Sequence, residues 1–333
     1  MTAAKLSPGS ALIEAGELAQ ERGEFLEASA AFEAALEDLD PLVVATAHNC
    51  LGKLMWQQGA FDASFAAFEK ARTIAIRHDA ADVLARAEIG LGLVYYARGD
   101  YAKARSLYEG VRRSVASQAI RGRALHNLAI IANIEGDIAT AEQQYLAACK
   151  AFADADDVQG QAHAYHNLGM LRADQLEWDE AEAAYAKALE MAKQTANREL
   201  IGLVTMNRSE LSCAMGRYEE AIERCDAALA IFDEIGAEML RGTTLRWKGR
   251  ALRELGKYQL AERALTDAMR IAHRAQAKLL EAESMLELGG MLALAGDQAA
   301  ARKWLTRSLE VFIALGATRE ADEVSADLKA LNN

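Results

Sequence analysis

Small side chains return along this chain at fixed places between larger apolar ones. Gly16, Gly52, Gly92, Ala129, Gly169, Ser209, Gly249 and Gly289 form one column, and Ala28, Ser64, Ala104, Ala141, Ala181, Ala221, Ala261 and Ala301 a second. A third runs Ala35, Ala71, Val111, Ala148, Ala188, Ala228, Ala268 and Ser308. Larger residues sit nearby at offsets typical of one helix face: Leu51, Leu91, Leu128, Leu168 and Leu288 in the first segments, Phe32, Phe68, Tyr108, Tyr145 and Tyr185 in the second. This spacing predicts amphipathic helices in pairs. Two antiparallel helices approach closely only where both present small side chains, so the small columns mark their crossing.

A turn signal separates the two helices of each pair. It reads GEFLEA at 23, GAFDAS at 59, GDYAKA at 99, GRYEEA at 216 and GKYQLA at 256. GDIATA at 136 and GDQAAA at 296 keep the glycine without the aromatic, and LEWDEA at 176 keeps the aromatic without the glycine. The steps of 36, 40, 37, 40, 40, 40 and 40 residues define eight helix–turn–helix units. The glycine suits a left-handed residue at a helix C-terminus. In the closing segment TREADEVSADLKALNN, Ala321, Val324, Leu328 and Leu331 share one face, which predicts a capping helix over the exposed end of the last unit. The expected organisation is a tail at 1–8, an array at 9–317 and a cap at 318–333, as one domain.

In its small columns, its turn glycine and the aromatic ahead of the second-column alanine, the chain resembles the tetratricopeptide repeat family over roughly residues 9–317. The forty-residue period is similar to that of kinesin light chain and of bacterial peptide-sensing regulators. The resemblance implies an all-α fold, a right-handed α-solenoid of eight repeats. Two features depart from the family pattern. Its usual first-helix tryptophan is replaced by Leu12, His48, Glu88, Leu125, Tyr165, Thr205, Leu245 and Met285, and the repeat-end proline survives only near Pro41.

Composition agrees with an all-helical reading, since alanine and leucine lead the helix scale and the chain has only two prolines. The net charge of −12, without a lysine-rich block, argues against nucleic acid as a partner. Cys50, Cys149, Cys213 and Cys225 form no CxxC pair and no metal-ligand spacing, and read as buried thiols of a reducing compartment. No signal core and no apolar run long enough for a membrane span occurs, so a cytoplasmic location is expected.

The resemblance also implies that first helices line a concave groove, with their second, fifth, sixth, ninth, twelfth and thirteenth positions facing it. Asn127, Asn167 and Asn207 then share the sixth position of three successive repeats, forty residues apart. A carboxamide donates and accepts together, so such a row could hold an extended peptide by its backbone, as related repeat proteins do. The other reading is that each asparagine bonds a neighbouring helix and serves only stacking.

Around the row the same positions place Tyr96, Ile130 and Met170 as an apolar wall, with Ile89, Leu93 and Ile134, and Arg86, Arg123, His126, His163 and His166 as polar neighbours. Arg246, Trp247, Arg250 and Arg253 follow in the seventh repeat. Glu14, Glu17, Gln20 and Glu21 make the first repeat acidic, and Glu283 and Glu287 the eighth. Apolar residues left open imply an occupant. Arginines in an acidic protein suit a ligand carboxylate, from an acidic residue or a free C-terminus, unless groove glutamates neutralise them. Three histidines without a fourth ligand favour hydrogen bonding over zinc. Trp178 and Trp304 suit helix packing, whereas Trp56 and Trp247 are candidate groove anchors.

No catalytic signature is present: G-x-S-x-G, G-x-G-x-x-G, the phosphate-binding G-x-x-x-x-G-K-[ST] and H-E-x-x-H are all missing, and nothing calls for a cofactor. The expected function is non-catalytic protein or peptide binding by a scaffold, with neither nucleic acid nor membrane as partner. A regulatory sensor and a self-assembling scaffold are the alternatives.

Overall fold

In a computed structural model of the chain, described for residues 7–331, every regular element is an α-helix. The helices divide into two compact units, residues 1–164 and 165–333. Unit 1 holds α1 (Pro8–Glu21), α2 (Phe25–Ala35), α3 (Pro41–Gln57), α4 (Phe61–Arg77), α5 (Ala81–Ala97), α6 (Tyr101–Arg113), α7 (Gln118–Ile134), α8 (Ile138–Ala153) and the start of α9 (Val158–Asp174). Unit 2 holds the remainder of α9, then α10 (Trp178–Gln194), α11 (Arg198–Ala214), α12 (Tyr218–Ile235), α13 (Glu238–Glu254), α14 (Tyr258–Arg274), α15 (Lys278–Leu294), α16 (Gln298–Leu315) and α17 (Thr318–Ala330). Most of the expected tail, residues 1–6, lies outside the described residues, as do 332–333 of the cap.

The small columns sit where the spacing places them. A Cβ built on Gly92 would come within 2.4 Å of the Tyr108 ring, and one on Gly169 within 2.6 Å of Tyr185. The large second-helix residue therefore occupies the volume that the first-helix glycine vacates. In the sixth repeat both members change: Ser209 replaces the glycine, the buried Cys225 replaces the ring, and the hydroxyl donates to the Met206 carbonyl at 2.6 Å. The first-helix residue gains a side chain where the second-helix residue becomes small.

The turns follow one backbone conformation whether or not glycine is there. Gly99, Gly136 and Gly216 have φ of 76°, 80° and 71°, and Leu176, where the glycine is lost, keeps φ at 62°. A second left-handed column closes the later repeats: Asp156, Ala196, Gly236, Gln276 and Gly316, of which only two are glycine. Sequence inspection misses this column because, at Ala196 and Gln276, the packing imposes it on residues with no preference for it.

Within each unit, first helices of successive repeats touch: α1 with α3, α3 with α5 and α5 with α7 in unit 1, α11 with α13 and α13 with α15 in unit 2. No two successive second helices pack comparably among the described residues, which places first helices on the inner side of each unit. The last of them in chain order, α15, is followed by α16, against which α17 packs. Val324 is fully buried there, with Ala321, Leu328 and Leu331 half-buried around it.

Candidate functional site

Inner-face residues separate into an open stripe and a buried flank. The second and ninth positions are open or half-open: Arg86, Arg123 and His163, then Leu93, Ile130 and Met170. The sixth position between them is half-buried at Asn127, Asn167 and Asn207. Positions two, six and nine fall within two turns of one helix face. The fifth position turns instead toward a neighbouring first helix. Ile89 is therefore core, packed with Tyr108 and Val111, rather than groove wall. Asn49 at this position spends its amide on the Val83 carbonyl of the next first helix, at 3.1 Å.

In unit 1 the open stripe carries two guanidiniums. Arg86 forms no ion pair among the described residues, and Arg123 lies 3.9 Å from Asp157. Loss of water around Arg123, with the repulsion of Arg86, lowers the Arg123 pKa despite the opposing pull of Asp157 and Glu17. Two cations sharing one stretch of groove disfavour each other's charge, and a ligand carboxylate would relieve that repulsion. Asn127 stands above the fully buried Tyr108 hydroxyl, which points at it without closing a well-formed hydrogen bond. Tyr96 is half-buried against Tyr101, ring centroids 5.6 Å apart. His126 packs edge-on to Tyr145 at 5.6 Å.

In unit 2, Asn207 is placed differently. The Asn207 Nδ2 lies 2.9 Å from the His166 Nε2, within hydrogen-bond reach of the ring nitrogen. His166 is only 8% exposed and its ring tilts against Tyr185. Asn207 thus follows the stacking reading. The arginines here are taken as well. Arg246, 9% exposed, pairs with Glu283 at 3.3 Å, Arg250 lies 3.8 Å from Glu287, and Arg253 reaches Glu287 at 2.8 Å. Each pairing runs from the seventh repeat to the eighth. Trp247 is 8% exposed among Cys213, Cys225 and Ala251, with the Arg246 guanidinium 4.1 Å from its ring centroid. It is packing, not an open anchor. Met170 remains open. Glu210, also on the inner face, has its carboxyl raised by loss of water and by Asp174 and Glu283, against the pull of Arg246 and Arg250.

This architecture and its repeat register match a known family. Sequence models of the tetratricopeptide repeat match residues 43–113, 201–274 and 240–314, with related tetratricopeptide models at 89–156 and 161–199. The chain belongs to the tetratricopeptide repeat family. Its fold is similar to a Rap protein solved in complex with Competence and Sporulation Factor, at 13% identity and TM-score 0.62, covering 97% of each chain. It is also similar to the tetratricopeptide-sensor signal transduction ATPase of Pyrococcus horikoshii, at 14% identity and TM-score 0.66, covering 93% of this chain and 53% of that one. A third likeness is BtubC (BKLC) from P. vanneervenii, at 21% identity and TM-score 0.58, covering 65% and 92%. No curated protein sequence matches the chain.

One polar cluster of this tetratricopeptide protein escapes the sequence reading because its members lie on three helices with no common spacing. Glu182 of α10 accepts from Arg208 Nε of α11 at 3.1 Å and from Arg224 Nη2 of α12 at 2.9 Å. Arg224 also donates to the Ser212 hydroxyl at 2.8 Å and to the Arg208 carbonyl at 3.0 Å. These bonds tie α10, α11 and α12 together, so the cluster serves as a brace. Among the described residues no group of histidine, cysteine and carboxylate side chains gathers as a metal site, and no helix is long and apolar enough to cross a membrane.

Proposed function

We propose that this tetratricopeptide protein is a non-catalytic scaffold that holds an extended peptide or partner segment along its first helices, with the primary contact in unit 1. The observation that carries this reading is the contrast between the two units. Asn127 and Arg86 keep their polar capacity largely unspent, beside the apolar Leu93 and Ile130, and Arg123 has one long pairing, 3.9 Å to Asp157. Asn207 and Arg246 are engaged within the protein. A carboxamide flanked by two guanidiniums and an aliphatic wall fits a peptide bearing an acidic side chain or free C-terminus next to an apolar residue.

The likeness to a Rap protein solved with Competence and Sporulation Factor supports peptide binding, and the likeness to a tetratricopeptide sensor supports a regulatory reading, in which the bound segment alters an effector. The test is affinity capture from native lysate with wild type and with Arg86→Glu/Arg123→Glu, followed by kinetics on the captured segment. The reversal should slow association more than it speeds release, because charges at a rim mainly steer encounter. Binding that strengthens after the reversal, or a captured segment that is basic, sinks the reading.

A further inference from the structure

The two ends of the described chain carry opposite and complementary features. Residues 7–40 hold nine carboxylates against one arginine, Arg22, so much of the net charge of −12 is concentrated there. At the turn between α2 and α3, Leu39 is 98% exposed and stands between Asp38 and Asp40. Both carboxylates stiffen the turn. Asp38 accepts from the Gly9 amide at 2.8 Å and from the Asp40 amide at 2.8 Å, and Asp40 accepts from the Leu42 amide at 2.8 Å. These bonds hold the Asp38 carboxyl below its ordinary pKa. The result is an aliphatic knob on a braced turn with a negative charge on either side. Leu26, flanked by Glu24 and Glu27, adds a second exposed apolar residue at this end.

Unit 2 has a hollow of about 340 Å³ on α14, α15 and α16, away from the asparagine stripe. Met269, Met285 and Trp304 give it apolar walls, and Arg274 and Arg307 are among its cations. The hollow lies at Met285, the first-helix column where the family usually has tryptophan. The one carboxylate lining it, Glu281, is already satisfied: Lys278 donates to it at 3.0 Å and His273 Nδ1 lies 3.2 Å away. Neither Arg274 nor Arg307 has a carboxylate partner among the described residues. The Arg307 guanidinium sits 5.0 Å from the Trp304 ring centroid. A guanidinium stacked on an aromatic face keeps its N–H edge available for a carboxylate.

We infer that the Leu39 knob of one copy docks into the Met269–Met285–Trp304 hollow of a second copy, with Asp38 and Asp40 meeting Arg274 and Arg307. An exposed apolar knob and a complementary hollow elsewhere on the same molecule form a heterologous contact. Such a contact leaves a free knob and a free hollow on every pair, so association grows with concentration instead of stopping at a dimer. Burying one leucine with two exposed charge pairs gives a weak contact, of roughly millimolar strength. The contact is separate from the groove and holds or fails independently of the proposed peptide binding.

The test is sedimentation equilibrium and light scattering of the full chain, monomer mass 36.1 kDa, over a wide concentration range. Mass should rise steadily with protein and fall with salt. Leu39→Ser and, separately, Arg274→Glu/Arg307→Glu should each weaken association about tenfold or more with unchanged circular dichroism, because both sites lie at the surface. Mixing the two variants restores one intact contact, so the mixture should form a 1:1 heterodimer and stop there. A wild type that stays monomeric throughout overturns the inference. So does a Leu39→Ser protein that associates as wild type does, or a mixture of the two variants that gains no mass.

Discussion

Replacing Asn207 and Asn127 separately with alanine asks which asparagine is scaffold and which is free for a ligand. In Asn207→Ala the Nδ2 donor disappears, and with it the hydrogen bond to His166 Nε2. Losing one such bond costs about 0.5–1.5 kcal/mol. Asn127→Ala removes a half-buried carboxamide that meets only an imperfectly aligned Tyr108 hydroxyl, so its cost should stay within about 0.5 kcal/mol. Urea unfolding followed by circular dichroism, both variants at one pH and salt, gives the two values. Each repeat leans mainly on its neighbours, so Asn207→Ala should also broaden the transition as unit 2 loosens first. Equal costs for the two substitutions, or a larger cost at Asn127, would refute the division of labour.

Leu176 holds a left-handed backbone at φ 62° while its side chain is 72% exposed, so Leu176→Gly should stabilise unit 2 by about 0.5–1 kcal/mol, read as a higher thermal midpoint. A lower midpoint would mean that the leucine has a packing role. Ala221→Leu forces three additional heavy atoms into a fully buried crossing beside Cys225 and Trp247 and should cost about 1–3 kcal/mol in the same assay. For Glu182, burial raises the carboxyl but the bonds and charges of Arg208 and Arg224 outweigh it, leaving the pKa lowered. A lowered folded pKa contributes stability above the unfolded value of about 4.3, lost as pH falls through the folded one. Arg224→Gln should therefore cost most near neutrality and little in strong acid, and a pH-independent cost would contradict the ion-pair assignment.

The chain alone determined the repeat unit, its helix pairs and their closest crossing. Those features rest on side-chain volume and on a helical period written directly into residue spacing, as the Gly92–Tyr108 and Gly169–Tyr185 pairs show. It also placed Asn127, Asn167 and Asn207 at one register, because register is a property of sequence. Tertiary structure decided which polar groups remain unspent. Arg86 and Arg246 read alike as groove arginines, yet Glu283 neutralises Arg246 and, among the described residues, no carboxylate pairs with Arg86. Asn207 and Asn127 share a position but not a partner, since only the packing of α9 against α11 brings His166 within 2.9 Å. The second left-handed column, at Ala196 and Gln276, was illegible for the same reason. Neighbouring helices held those residues in a conformation their own chemistry does not prefer, and a linear pattern carries no trace of forces that arise only between elements.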